Sequence, residues 1–240
     1  MASGKAILGS MLGRFLFRDA RVARVRDVSP HFRWVELEGE ALRGVSWSAG
    51  DKVQVFLPGM GMRTYTPLAW DAARGATQLL VYLHGNSPGA EWGRNMRVGD
   101  GCQFMGPRGS LALTSLQGPV VLFGDETSFA VAHTLRNLRA GAEGVEQVFE
   151  VSSREESETV LREFHLSDSA LVERAPGDDG HLPAVAERLG DALKRRPGAH
   201  LVMTGRAQAI QALRARLKAD GVGAPQKVKA YWSVGKRGLD

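Results

Sequence analysis

The apolar positions of this chain change rhythm once. From Ala20 to Leu113 they fall in short, partly alternating segments divided by Gly, Pro, Asp or Asn, the pattern of strands with one buried face. The spacing predicts strands at Arg21–Val28, Phe32–Glu38, Lys52–Leu57, Arg63–Ala69, Gln78–Leu83 and Gly101–Met105, a set that suits a six-stranded antiparallel β-barrel. After Gln117-Gly118-Pro119, the run Val120-Val121-Leu122-Phe123 is apolar without interruption, as in a strand covered on both faces of a parallel sheet. Phe129, His133, Leu135 and Leu138 follow near one helical stripe, Val145–Val151 reads as the next strand, and Thr159–Phe164 as a short helix. Leu201–Met203 repeats the buried-strand pattern, Ile210, Leu213 and Leu217 stripe a helix that ends before Gly221, and Lys227–Ser233 is a final strand. The expected organisation is a β-barrel module over 14–117 and an α/β module with a parallel sheet over 118–240.

Composition narrows this little but excludes several classes. The 240 residues exceed the roughly 100–150 of a typical domain, in keeping with two cores. Cys102 is the only cysteine, which rules out an internal disulfide or a thiolate metal cluster and fits a reducing cytoplasm. The mildly apolar stretch Lys5–Phe17 is interrupted by Arg14 and lacks a following Ala-x-Ala-like cleavage site, so no signal peptide is expected. Apolar runs stay well short of the roughly 20 residues of a membrane helix, so no stable membrane insertion is expected. The net charge of +5 permits anionic partners, but the basic residues are spread out and no nucleic-acid motif accompanies them. The six histidines show no His-x-x-x-His pair, so no protein metal site is expected.

Four motifs carry candidate chemistry, and a fifth segment offers a nucleotide partner. Arg63-Thr64-Tyr65-Thr66 lies in a predicted strand and offers a cation, an aromatic ring and a hydroxyl; alternation puts Arg63 and Tyr65 on one face and Thr66 on the other, which calls for a bend. The loop from His84-Gly85 through Pro88, Gly89, Ala90 and Trp92 can bring backbone N–H groups close to a phosphate, and an ordinary hairpin would use the same residues. Gly106-Pro107-Arg108-Gly109 is a turn with a possible phosphate partner in Arg108. Gly124-Asp125-Glu126-Thr127-Ser128 sits between a buried strand and a helix, where α/β folds bind ligands, although its two acids would repel a pyrophosphate and equally suit a capped helix start. Ser152-Ser153-Arg154 follows the next strand, where a cation can receive the 2'-phosphate of NADPH; a solvated charge run with Glu155 and Glu156 explains it as well.

Taken in this order, and with Tyr231-Trp232-x-x-Gly235-Lys236 at the end, the motifs resemble those of the siderophore-interacting proteins, from about Arg21 onward. That resemblance implies a ferredoxin-reductase-like FAD-binding barrel and a nucleotide-binding α/β domain. It further implies a monomeric cytoplasmic oxidoreductase that takes hydride from NADPH or NADH and delivers single electrons to ferric siderophores, releasing Fe(II). Arg63, Tyr65, Thr66, His84, Gly89, Ala90, Trp92, Gly106 and Arg108 would then line the FAD site, with Thr66 at the reacting edge of the flavin. Gly124, Thr127 and Arg154 would serve the nicotinamide nucleotide, Trp232 would bind cofactor as part of the closing signature, and Lys52, Lys236 and Arg237 would attract the anionic chelate. Two positions depart from the family: Pro67-Leu68 stands where a second arginine is usual, and Met203-Thr204-Gly205-Arg206 lacks the usual acid. A reductase feeding a protein partner, or a flavin- or siderophore-binding protein without turnover, would use the same front half.

Overall fold

In the computed structural model, which describes residues 17–139, 144–175 and 177–235, the alternating and the continuous apolar segments build two different sheets. The chain divides into two compact units, one holding residues up to Asp27 and His31–Gly109, the other Val28–Pro30 and the chain from Ser110.

The first unit is a seven-stranded antiparallel sheet: β1 Phe17–Ser29, β2 Phe32–Glu38, β3 Lys52–Leu57, β4 Gly61–Tyr65, β5 Ala69–Asp71, β6 Ala76–Tyr82 and β7 Gly101–Arg108, ordered β4-β3-β7-β1-β2-β6-β5. Its inner face is the alternating set read from the sequence, with Val22, Val35, Leu37, Val53, Val55, Leu79, Val81 and Phe104 packed together. The expected strand Arg63–Ala69 is two strands. Pro67 has no N–H for the ladder, so β4 ends at Tyr65, and Leu68 instead donates its backbone N–H to Gln78 at 2.8 Å, opening a new pairing for β5. Six strands thus become seven, and β4 and β5 are the edges of the ladder order. The second correction concerns the His84–Trp92 loop, of which only the first part is loop. Ser87 accepts the Ala90 N–H and Pro88 takes the first turn, so Pro88–Asn95 is helix α1.

The second unit is a parallel sheet, β8 Val120–Gly124, β9 Val145–Val151, β10 Ala170–Glu173, β11 His200–Arg206 and β12 Gln226–Trp232, ordered β10-β9-β8-β11-β12. Its helices are α2 Phe129–Leu138, α3 Arg154–Glu163, α4 Leu182–Arg195 and α5 Ala207–Ala219. Every residue of β8 is buried, as its unbroken apolar run requires. Sequence reading leaves out β10 and α4. The latter buries Leu182, Val185, Ala186, Leu189 and Leu193 against Val121, Phe123, Leu201 and Met203. From β8 the chain runs outward through β9 and β10, then returns to the other side of β8 for β11 and β12. The carboxyl ends of β8 and β11 therefore flank the topological switch point, where open α/β sheets bind ligands. Among the described residues no helix is long and apolar enough to cross a membrane, and no cluster of His, Cys, Asp and Glu suits a metal ion.

Candidate functional site

In the first unit, three separate motifs meet. Strand β3 pairs on one side with β4, Val53 opposite Tyr65 and Val55 opposite Arg63, and on its other side with β7, Lys52 opposite Arg108. Gly106–Arg108, expected as a turn, is the end of strand β7, and it lies two strand spacings, about 10 Å, from the Arg63–Tyr65 segment. Helix α1 lays its first turn against β4. A Cβ built at Gly89 would stand 3.1 Å from the Tyr65 hydroxyl and 3.5 Å from Arg63 Cγ, so the missing side chain is what lets the helix start approach the strand. Trp92, one turn further on, faces the Tyr65 ring at 5.6 Å between centroids. The result is a cation beside a helix N-terminus, both favouring negative charge, with an aromatic wall alongside. Arg63 donates to the Met62 carbonyl at 2.7 Å, and among the described residues no carboxylate neutralises it. Burial holds the Tyr65 phenol well above its ordinary range, so it stays a neutral donor.

The remaining residues of this unit are placed less tightly. Thr66 is buried immediately after β4, and His84 is exposed, its ring stacked on Tyr82 at 5.3 Å. Ala90 is buried in α1. Gly106 has φ +107°, and a Cβ there would come 2.7 Å from the Lys52 carbonyl oxygen, so this close approach admits only glycine. Its own carbonyl accepts from Arg18 Nε at 2.7 Å. Arg108 is exposed but donates to the Gln54 side chain, next to Lys52 across the β3–β7 ladder. Helix α1 is anchored at its far end by Arg33 of β2, whose Nη1 donates to the Gly93 carbonyl at 2.6 Å and to the Arg94 and Met96 carbonyls at 3.2 Å.

The second unit treats its candidate turn differently. Gly124 closes β8, and Asp125 caps the short 3-10 turn Glu126–Ser128. The Asp125 carboxylate accepts from the Thr127 N–H at 2.9 Å and from its hydroxyl, while Ser128 Oγ accepts the Asp125 N–H at 3.3 Å, a capping box that uses its own donors. Glu126 is buried, and Arg174 and the Ser152 N–H both donate to it at 2.6 Å. Buried Glu150 pairs with His181 at 2.7 Å and Arg206 at 3.2 Å, and Arg206 reaches Asp179 at 2.5 Å. The indole N–H of Trp232 donates to Asp125 Oδ2 at 2.7 Å. Arg154, at the start of α3, donates to the Leu171 carbonyl at 2.8 Å and lies 3.9 Å from Glu158. Gly124, Thr127 and Trp232 are thus brought together, Arg154 lies apart from them on α3, and Lys236 and Arg237 fall outside the described residues. Sequence reading missed Glu126's pairing with Arg174, 48 positions away.

Comparisons with known proteins bear on the fold and on the β4–β7 segment. Residues 58–111, which span β4 to β7 and α1, match the family model described as the siderophore-interacting FAD-binding domain. No curated protein matches the chain. Among solved structures, the fold is similar to a siderophore utilization protein from T. fusca, with 23% identity over 93% of this chain and 95% of that one and a TM-score of 0.71. It is likewise similar to the siderophore-interacting protein SipS from Aeromonas hydrophila, with 18% identity over 92% and 93% and a TM-score of 0.73. Phthalate dioxygenase reductase has the same fold at 16% identity, covering 93% of this chain and 71% of its own, with a TM-score of 0.71. The chain thus has the two-module fold of these ferredoxin-reductase-like structures, and its β4–β7 segment matches the siderophore-interacting FAD-binding domain.

Proposed function

We propose that this protein is an NAD(P)H-dependent oxidoreductase that holds FAD and reduces ferric siderophores. The observation that carries the cofactor is the meeting of Arg63, Tyr65 and the first turn of α1 at Gly89. Arg63 and the Gly89 N–H at the start of α1 would hold the pyrophosphate, the cation by a charge-assisted hydrogen bond and the helix start by its dipole, since Pro88 has no N–H and the Ala90 N–H is bonded to Ser87. Tyr65, a neutral phenol, donates a hydrogen bond without adding charge, and Trp92 shields the strand side from water. Thr66 provides the hydroxyl at the reacting edge, and His84, Ala90, Gly106 and Arg108 complete the FAD lining. Bound FAD would supply the exchange of one hydride for two single-electron transfers. One NAD(P)H then reduces two Fe(III) chelates to Fe(II), which hard anionic oxygen ligands hold less strongly.

In the second unit, Gly124, Thr127 and Trp232 sit at the topological switch point, the place for the nicotinamide nucleotide, with Arg154 on α3 toward its 2'-phosphate. The acids at the turn repel phosphate, so they border the nicotinamide end. Lys52, Lys236 and Arg237 are proposed to attract the anionic chelate. The test is direct: purify the protein, release its pigment by heat and identify it by chromatography, then follow Fe(II) formation from several ferric siderophores with NADPH and with NADH. FAD together with nucleotide-dependent Fe(II) supports the reading. Recovery of FMN alone, or reduction of a [2Fe-2S] protein with no reduction of ferric chelates, would replace it with electron delivery to a protein partner.

A further inference from the structure

We infer that Asp125 is a positioning residue that latches the Trp232 indole at the switch point of the parallel sheet and so shapes the nucleotide end of the second unit. The inference rests on the nucleotide reading above. Its geometry begins with a register shift: along the β11–β12 ladder Gly205 faces Ala230, but Arg206 faces Trp232, so Tyr231 is the extra residue of a bulge. A bulge re-aims the side chain that follows it. Here that side chain is Trp232, which donates its N–H to a carboxylate 107 positions earlier in the chain.

The neighbouring backbone is fitted to the same contact. Gly205 has φ +100°, and a Cβ on it would lie 2.5–2.9 Å from the atoms of the Asp125 carboxylate, so only glycine leaves the acid its place. Beyond Trp232, the Ser233 hydroxyl accepts from Gln208 Nε2 of α5 at 2.9 Å, which ties down the end of β12 a second time. The carboxylate is almost wholly buried, 1% exposed, and its two oxygens are divided, Oδ1 serving Thr127 and Oδ2 serving the indole.

Its surroundings are mixed in charge. Glu126 on the same turn and Glu150 at the end of β9 oppose its ionisation by repulsion, Arg174 sits on the far side of Glu126, and Thr127 and Trp232 favour the ionised form by donating to it. Burial, and after it Glu126, push the acid up to about 6. Protonation removes the charge that strengthens the indole bond, and a proton on Oδ2 would also take the place of the indole N–H, so acidification through that value weakens the latch on Trp232.

The experiment uses the full-length FAD-loaded protein labelled with 5-fluorotryptophan, with the Trp232 resonance assigned by its loss in Trp232→Phe. The chain has five tryptophans, so this assignment is needed. In the wild type, the Trp232 signal should move with a midpoint near pH 6. In Asp125→Asn it should be displaced and no longer titrate. KM for NAD(P)H should rise about ten-fold in Asp125→Asn, as expected for a displaced contact group, with FAD affinity unchanged. Should Asp125→Asn fold poorly, Trp232→Phe, which keeps a ring but removes the donor, should raise KM similarly. A Trp232 signal indifferent to pH and to Asp125→Asn overturns the latch. A normal KM in both variants overturns its role toward the nucleotide. Absence of nucleotide binding in the wild type, with the fluorine signals behaving as described, sinks the functional reading while leaving the indole–carboxylate contact established.

Discussion

The two units each set a helical start beside a glycine, yet they dispose their charges in opposite ways. At α1 the strand brings up a cation, Arg63, with no carboxylate partner among the described residues, and the short Gly89 leaves the approach open. At the turn after β8 the acids Asp125 and Glu126 are buried and bonded to Thr127, Trp232, Ser152 and Arg174. In the first arrangement the cation is bonded only to the Met62 carbonyl among the described residues. The second is complete in itself, and its charges serve to hold its own chain. The same local device is thus proposed as a phosphate cradle in one place and forms a self-bonded wall in the other, and the difference lies in which side chains distant segments deliver to it.

The comparison breaks if the two sites respond alike to losing their charged groups. The largest effect expected is on flavin binding: Arg63→Ala should weaken FAD by about 10- to 100-fold, the value of a charge-assisted hydrogen bond to phosphate, with little change in folding stability. Fluorescence titration of apoprotein with FAD, next to a denaturant melt, measures both. In the second unit the balance should reverse. Glu126→Gln removes the carboxylate at 2.6 Å from Arg174, leaving it Glu150 at 4.0 Å, and should cost about 3 kcal/mol of stability, read by denaturant midpoint, while FAD affinity stays near wild type. If Arg63→Ala unfolds the protein while Glu126→Gln is silent, the assignment of the two regions is reversed.

Sequence reading reached the Arg63 site more readily than the Glu126 site for a physical reason. Phe32–Glu38, Lys52–Leu57 and Val145–Val151 agree with the observed strands to the residue, because burial on one or both faces writes a short-range period into the chain. The Arg63-to-Thr66 motif lies within four residues and carries its own chemistry. Its predicted bend is real, but Pro67 makes it by ending one strand and starting another. The Ser87-Pro88 pair is a local helix-start signal that a glycine-rich loop disguised. The Glu126–Arg174 and Asp125–Trp232 contacts are the opposite case. They depend on strand order and on a bulge at Tyr231, and no local pattern announces either.

Two smaller effects sharpen the comparison further. Arg154→Ala should lower the ratio of kcat/KM for NADPH over NADH by about ten-fold, since a guanidinium lost from a phosphate contact is worth roughly that much. An unchanged ratio would mean that the bonds of Arg154 to Leu171 and Glu158 are its whole role. The smallest effect concerns the end of the chain. Lys236→Glu with Arg237→Glu should slow reduction of an anionic ferric chelate several-fold at low salt and much less at high salt, with a near-neutral chelate hardly affected. Equal losses for both chelates would show that these residues do not steer the substrate.

The most direct test of the central claim is a two-step rapid-mixing experiment on the purified, FAD-loaded protein, monitored by flavin absorbance. Mixing with NADPH or NADH under anaerobic conditions should bleach the flavin, and subsequent mixing with a ferric siderophore should restore its colour while two Fe(II) form for each nucleotide consumed. A flavin that no nicotinamide bleaches, or one that is bleached but regains its colour with a [2Fe-2S] protein and with no ferric siderophore, would contradict the account.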